Sequence, residues 1–168
     1  TSRYPNYAGA IVDNSIFFTS NAPTSESLPC GVIAITQVWH DPNSGTINRV
    51  DLKLNDKCFK FTTNPASTAA KDNKIFLGDI ATHELGHALG LDHSQVLQSS
   101  MIPIAAPEMV IPSCDEHAAM KVLYSPHRGE TGNISGTVVN ASNAEFFGAH
   151  VVAIQLERGT VISSALSD

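Results

Sequence analysis

An α+β fold is predicted for this chain of 168 residues, on three observations. The first half, from Ile16 to Leu54, is rich in β-branched residues and partly alternates apolar with polar. Two stretches in the second half, near 79 to 89 and 113 to 124, carry helical spacing and helix-start chemistry. From Gly129 the pattern becomes strand-like again. Hydrophobic residues make up 42% and charged residues 15%, which suits a folded core and excludes a disordered chain. The length allows one ordinary domain, or one domain and a piece of another. A formal net charge of −6 without a basic cluster argues against a nucleic-acid partner. No apolar run approaches the ~20 residues of a membrane span.

Taken in order, Ile16-Phe17-Phe18 is a short buried-strand candidate after a polar start. Residues 32 to 39, Val-Ile-Ala-Ile-Thr-Gln-Val-Trp, form a second strand, and Asp41-Pro42-Asn43-Ser44-Gly45 makes a turn. Residues 47 to 54 then alternate, with Val50, Leu52 and Leu54 on one face and Asp51 and Lys53 on the other. The two runs predict an antiparallel hairpin. Residues 62 to 73 are polar and read as a surface loop. A helix is predicted from about Asp79, as its N-cap, to Leu89, with Ile80, Leu85, Ala88 and Leu89 packing on the sheet. Ser113 and Glu116 form a capping box that opens a second helix. That helix runs to about Tyr124, buries Ala119, Met120 and Leu123, and ends at Pro126. The acids Asp115 and Glu116 in its first turn are accounted for by the helix dipole, with no catalytic role.

The chemistry is concentrated in residues 83 to 93, His-Glu-Leu-Gly-His-Ala-Leu-Gly-Leu-Asp-His. His83 and His87 are four apart, so a helix projects them from one face, one turn apart. Both imidazoles can then reach one zinc ion at roughly 2.0–2.1 Å. Glu84 sits beside the first ligand, where its carboxylate can act on a water without occupying the metal. Gly90 can adopt a left-handed conformation at little cost, ending the helix and bringing His93 round as third ligand. Three protein ligands leave a position open to water, which marks a catalytic site rather than a structural one. Five fixed positions arise by accident in about one chain of this length in 100,000.

This H-E-x-x-H-x-x-G-x-x-H stretch is the zinc-binding signature of the metzincin metalloproteases. Ser94 directly after His93, and Met101-Ile102-Pro103 eight residues on, are similar to the matrixins, the matrix metalloproteinase type of metzincin. The resemblance spans roughly residues 10 to 125 and is specific from 79 to 103. It implies a catalytic domain over residues 1–127 with a twisted mixed sheet, an active-site helix, a methionine turn and a C-terminal helix. It also implies one catalytic Zn2+, Met101 as an apolar floor beneath it, Glu84 as general base, and a protein or peptide substrate. The edge strand at Val32, Ile33, Ala34 and Ile35 resembles the one that pairs with the substrate backbone in that family. Secretion follows from the resemblance and from a possible disulfide. The family's long first helix is not evident here, and Ala105 stands where a tyrosine is common. His40 and Asp41 do not make the structural zinc site of animal matrixins, and the sequence is silent on calcium.

Cys30 and Cys58 flank the predicted hairpin and could form a disulfide in an oxidising compartment. Cys114 is left to pair outside this stretch or to remain a partly buried thiol. Pro29-Cys30-Gly31-Val32 superficially resembles the matrixin latency cysteine, but lacks the Arg and Asp around it. Residues 128–168 are similar to the opening strands of a carboxypeptidase-regulatory-like β-sandwich, at 134 to 139, 149 to 154 and 160 to 162, too few to close one. His150 in that tail is expected at the surface. Asn133 and Asn140 match the glycosylation pattern. The leading expectation is a zinc endopeptidase. Its rivals are a zinc-containing peptide-binding module made inactive by truncation, and an adhesive sandwich with a protease attached.

Overall fold

The computed structural model describes residues 14–21, 24–69, 72–125 and 132–168. A three-stranded mixed sheet forms the scaffold, from β1 (Ser15–Phe18), β2 (Ala34–His40) and β3 (Ile47–Leu54), in the order β1-β3-β2. β2 and β3 are the predicted antiparallel hairpin, with Thr36 opposite Leu52. Its turn is held by Asp41, whose Oδ1 accepts from the Asn43 and Ser44 amides at 2.8 Å each, while Gly45 takes φ 71°. Those amides hold the Asp41 carboxyl below its ordinary range. β1 lies parallel on the other side of β3, a pairing the local pattern does not reveal.

Both faces of β3 are covered at its C-terminal end, and the polar face of Asp51 and Lys53 is buried. Arg49 and the Ser15 hydroxyl satisfy Asp51, and Lys53 pairs with Glu26. On the other face Leu52 and Leu54 meet Ile80, ringed by Phe18, Ile33, Ala34, Phe61, Ile75 and Leu77. The Phe18 and Phe61 rings stand 5.8 Å apart. The predicted loop is flanked by the two strands of a small parallel sheet, β4 (Lys60–Thr62) and β5 (Lys74–Phe76), with a 3-10 turn at Pro65–Ser67 between them. Strands of three residues are too short to show a period.

β5 feeds directly into α1 (Leu77–Ala88). Phe76, not Asp79, is the N-cap, and no side chain caps that end. Asp79 instead lies buried in the first turn, where its Oδ1 accepts from the Val110 amide at 2.9 Å. Ile80 is in the core as expected, but Leu85 and Leu89 remain 47% and 44% exposed because α1 packs on the sheet through a narrower stripe. α2 (Cys114–Tyr124) opens with the predicted capping box at Ser113 and Glu116. Ala119 and Met120 are partly covered, whereas Leu123 is 49% exposed and faces the main cleft. Pro126 and the expected boundary between 127 and 128 lie outside the described residues, as does any helix before residue 14.

Cys30 and Cys58 form a disulfide with a Cα–Cα distance of 5.3 Å. Bridging residues 28 apart restricts the unfolded chain by about 3–4 kcal/mol in the chain-entropy model. Cys114, in the first turn of α2, is an exposed free thiol, not a partly buried one. The tail supplies one antiparallel hairpin, β6 (His150–Gln155) with β7 (Thr160–Leu166), and β7 packs against α2. The expected strand at 134 to 139 is only an isolated bridge between Val139 and Glu145. No helix among the described residues is long and apolar enough to cross a membrane.

Candidate functional site

α1 brings His83 and His87 to one face, and the way it ends brings His93 to them. The Leu91 amide bonds to the Gly86 carbonyl at 3.0 Å and the Gly90 amide to the His87 carbonyl at 2.9 Å, with Gly90 at φ 87°. This is a Schellman ending, which needs a left-handed residue and turns the chain back across the helix. The three imidazoles each offer a nitrogen, and these atoms lie within 4.8 Å of one another. Among the described residues no other group of three or more His, Cys, Asp or Glu is arranged to hold a metal ion. His150 is exposed on β6 and is outside that group.

Backbone carbonyls set the ring orientations. His83 Nδ1 donates to the Ser100 carbonyl and His87 Nδ1 to the Leu91 carbonyl, each at 2.8 Å. A carbonyl only accepts, so each Nδ1 carries the proton and each Nε2 of the neutral ring presents a lone pair. The two Nε2 atoms face each other at 3.2 Å. Two lone pairs repel at that distance unless a cation lies between them. Ligand nitrogens of a tetrahedral zinc would stand about 3.3–3.4 Å apart, so the donor set fits that ion. Burial lowers the His83 pKa, against the raising effect of the Ser100 carbonyl, and His87 lowers it further. Burial and the neighbouring His87 and His83 also lower that of His93. Both shifts favour the neutral, ligating form.

Glu84 is buried on the same turn. Its Oε2 accepts from the Thr36 hydroxyl at 2.6 Å. Burial raises the carboxyl pKa, while the Thr36 hydroxyl and the nearby imidazoles pull it back. Below α1, Met101 is 1% exposed and its sulfur fills the space beside Gly86, where an added Cβ would lie well inside contact distance. The chain around Met101 is bonded on several sides. The Ser94 amide donates to the Met101 carbonyl at 2.9 Å, and Ser94 Oγ to Asp115 Oδ2 at 2.6 Å. The Ser99 hydroxyl and the Met101 amide both donate to Glu116 Oε1. Asp115 and Glu116 therefore tie the 94–101 segment to α2, beyond the helix-dipole role expected of them. Ser94 is marked in the sequence only by its place after His93, and Ser99 and the carbonyls of Leu91 and Ser100 carry no signal there.

The cleft in front of the three imidazoles has a volume of about 1010 Å³. It runs from Gly31 and β2 across the imidazoles to the Pro103-Ile104-Ala105 segment and Tyr124. Of the four residues expected to form the edge strand, Ala34 and Ile35 are on β2. Val32 and Ile33 precede it, and their carbonyls accept from the side-chain and backbone amides of Asn55. Across the cleft, Asp79 and Thr82 of α1 bond the backbone of Val110 and so fix the path of the segment after Pro103. The Tyr124 hydroxyl donates to the Leu89 carbonyl at 2.7 Å and joins the end of α2 to that of α1.

The matrixin family model, of the peptidase M10 type, matches residues 31–125. The chain belongs to the matrixin family. The match takes in β2, β3, both helices and every residue of the cluster, and stops one residue past α2. This matrixin therefore carries a zinc metallopeptidase-type domain over more than half of its 168 residues. The β6–β7 hairpin lies beyond the matched residues.

Proposed function

We propose that this matrixin is a zinc-dependent endopeptidase in which His83, His87 and His93 hold one catalytic zinc and Glu84 is the general base. The observation that carries the proposal is the pair of Nε2 lone pairs facing each other at 3.2 Å, with an unligated carboxylate on the same helical turn. When bound there, zinc supplies a water acidified towards pKa ~7 and a Lewis acid for the scissile carbonyl.

The protein's own groups do the rest. The Ser100 and Leu91 carbonyls hold the His83 and His87 rings in the ligating tautomer, as partners of metal-bound histidines commonly do. Glu84 takes the proton of the attacking water on a carboxylate oxygen and passes it to the departing amine nitrogen. The free edge of β2 at Ala34 and Ile35 pairs with an extended peptide backbone, a mode that holds register with little regard to sequence. Met101 and the turn at Pro103 form the floor under the three rings, and Gly90 places the third. Protein substrates and secretion accord with the family and with the Cys30–Cys58 disulfide. Residues 128–168 are proposed as part of a separate β module joined to this domain through the contact of β7 with α2.

Glu84→Ala tests the assignment. The variant is expected to keep one equivalent of zinc and to lose casein cleavage by at least about 100-fold, the usual worth of a general base. Cleavage at the parent rate by the zinc-loaded variant would refute the role of Glu84.

A further inference from the structure

Thr36 occupies an inward position of β2, between Ala34 and Val38, where the strand's alternation calls for an apolar side chain. Its hydroxyl lies 2.6 Å from Glu84 Oε2 and 3.0 Å from the Glu84 backbone carbonyl. A hydroxyl has one proton, and the shorter bond to a carboxylate is the stronger use of it. Among the described residues, no hydrogen bond reaches Oε1, although Glu84 lines the cleft. The two oxygens of this carboxylate thus have different surroundings: one is tethered to the sheet, and the other has no hydrogen-bond partner among the described residues.

We propose that Thr36 is a positioning residue for Glu84, and this rests on the endopeptidase reading above. Its hydroxyl anchors Oε2 and leaves Oε1 as the atom that takes and returns the proton. A glutamate carboxylate turns about three side-chain torsions, and one bond from a strand in a packed sheet removes most of that freedom. The donor also sits one residue after Ile35, on the strand whose edge is proposed to align the peptide. Base and substrate are therefore registered to the same backbone. Such an arrangement acts on the chemical step, because a misplaced base costs rate without weakening peptide binding.

The test compares Thr36→Val, which keeps the shape and removes the hydroxyl, with Thr36→Ser, which keeps the hydroxyl. Both are made in the full chain, loaded with zinc, and assayed on a quenched casein-derived peptide beside the parent and Glu84→Ala. Thr36→Val is expected to lower kcat about 10- to 100-fold, the worth of one hydrogen bond to a charged group, with KM within about twofold. Thr36→Ser should recover most of the rate. Equal losses in both variants, a change confined to KM, or a Thr36→Val rate within about twofold of the parent would overturn the proposal. Crystal structures of the parent and Thr36→Val give a readout independent of activity. The Glu84 carboxylate should occupy one orientation in the parent and several in the variant, and an unmoved carboxylate overturns the proposal even if the parent cleaves nothing. An inactive parent with an ordered, tethered Glu84 would count against the endopeptidase reading instead. Should Thr36→Val fail to fold, as judged by its circular dichroism, the serine variant decides: a tethered carboxylate at near-parent rate supports the proposal, and a released one overturns it.

Discussion

Position 86 has no room for a methyl group, because the Met101 sulfur already occupies that space. Gly86→Ala is expected to force Met101 or the helix aside and to cost about 1–3 kcal/mol, the usual penalty for overpacking. Urea unfolding of the zinc-free protein would show this as a lower midpoint, and an unchanged midpoint would contradict the close contact. Residues differ in how far the sequence exposes such roles. Gly90 was readable, since its distance from His87 and His93 demands a turn with a left-handed residue, found at φ 87°. Gly86 was not, because a glycine between two ligands looks the same whether or not something packs against it. Thr36 left a faint mark, a polar residue at an inward position, but only the fold shows Glu84 opposite it. Leu85 and Leu89 are exposed against expectation because helical spacing gives a face, not the width of the face that is covered.

Among the elements, α2 depends most on a contact that no local pattern records. Its capping box was legible, since Ser113 and Glu116 are three residues apart. The further bonds from Ser99 and the Met101 amide to Glu116 join segments 15 to 17 residues apart, beyond any periodic signal. Burial alone would raise the Glu116 carboxyl, but the hydrogen bonds from Ser99, from Ser113 and from the Met101 amide outweigh it, and the net shift is downwards. A carboxylate whose folded pKa is depressed stabilises the fold above the ordinary glutamate value of 4.5. That contribution is lost as pH falls through the lower, folded value. Glu116→Gln should therefore be less stable than the parent at pH 7, with a shallower loss of stability between pH 5 and pH 3, as followed by thermal melts. A variant that tracks the parent in parallel across that range would show that Glu116 titrates normally. Asp79 differs from expectation for a similar reason. The sequence pairs its side chain with the nearest free amides of its own helix, but in the fold it serves the Val110 amide, 31 residues on.

For the whole molecule, the order of strands was the least legible property. The hairpin of β2 and β3 follows from the alternation and the turn, yet neither the parallel pairing of β1 with β3 nor the burial of Asp51 and Lys53 can be read from them. The tail was legible as β structure but not in its placement, since the contact of β7 with α2 depends on shapes formed only after folding. The site was more legible than the scaffold because one helix and its ending carry all three imidazoles and the carboxylate within 11 residues. Everything proposed for this matrixin depends on those rings sharing one ion. X-ray absorption at the zinc edge of the zinc-loaded chain tests this most directly, with the His93→Ala variant as comparison. Three imidazole nitrogens at about 2.0–2.1 Å and one further oxygen ligand are expected, with one imidazole lost in the variant. Sulfur ligands, fewer than three imidazoles, or a parent-like spectrum from His93→Ala would contradict the account.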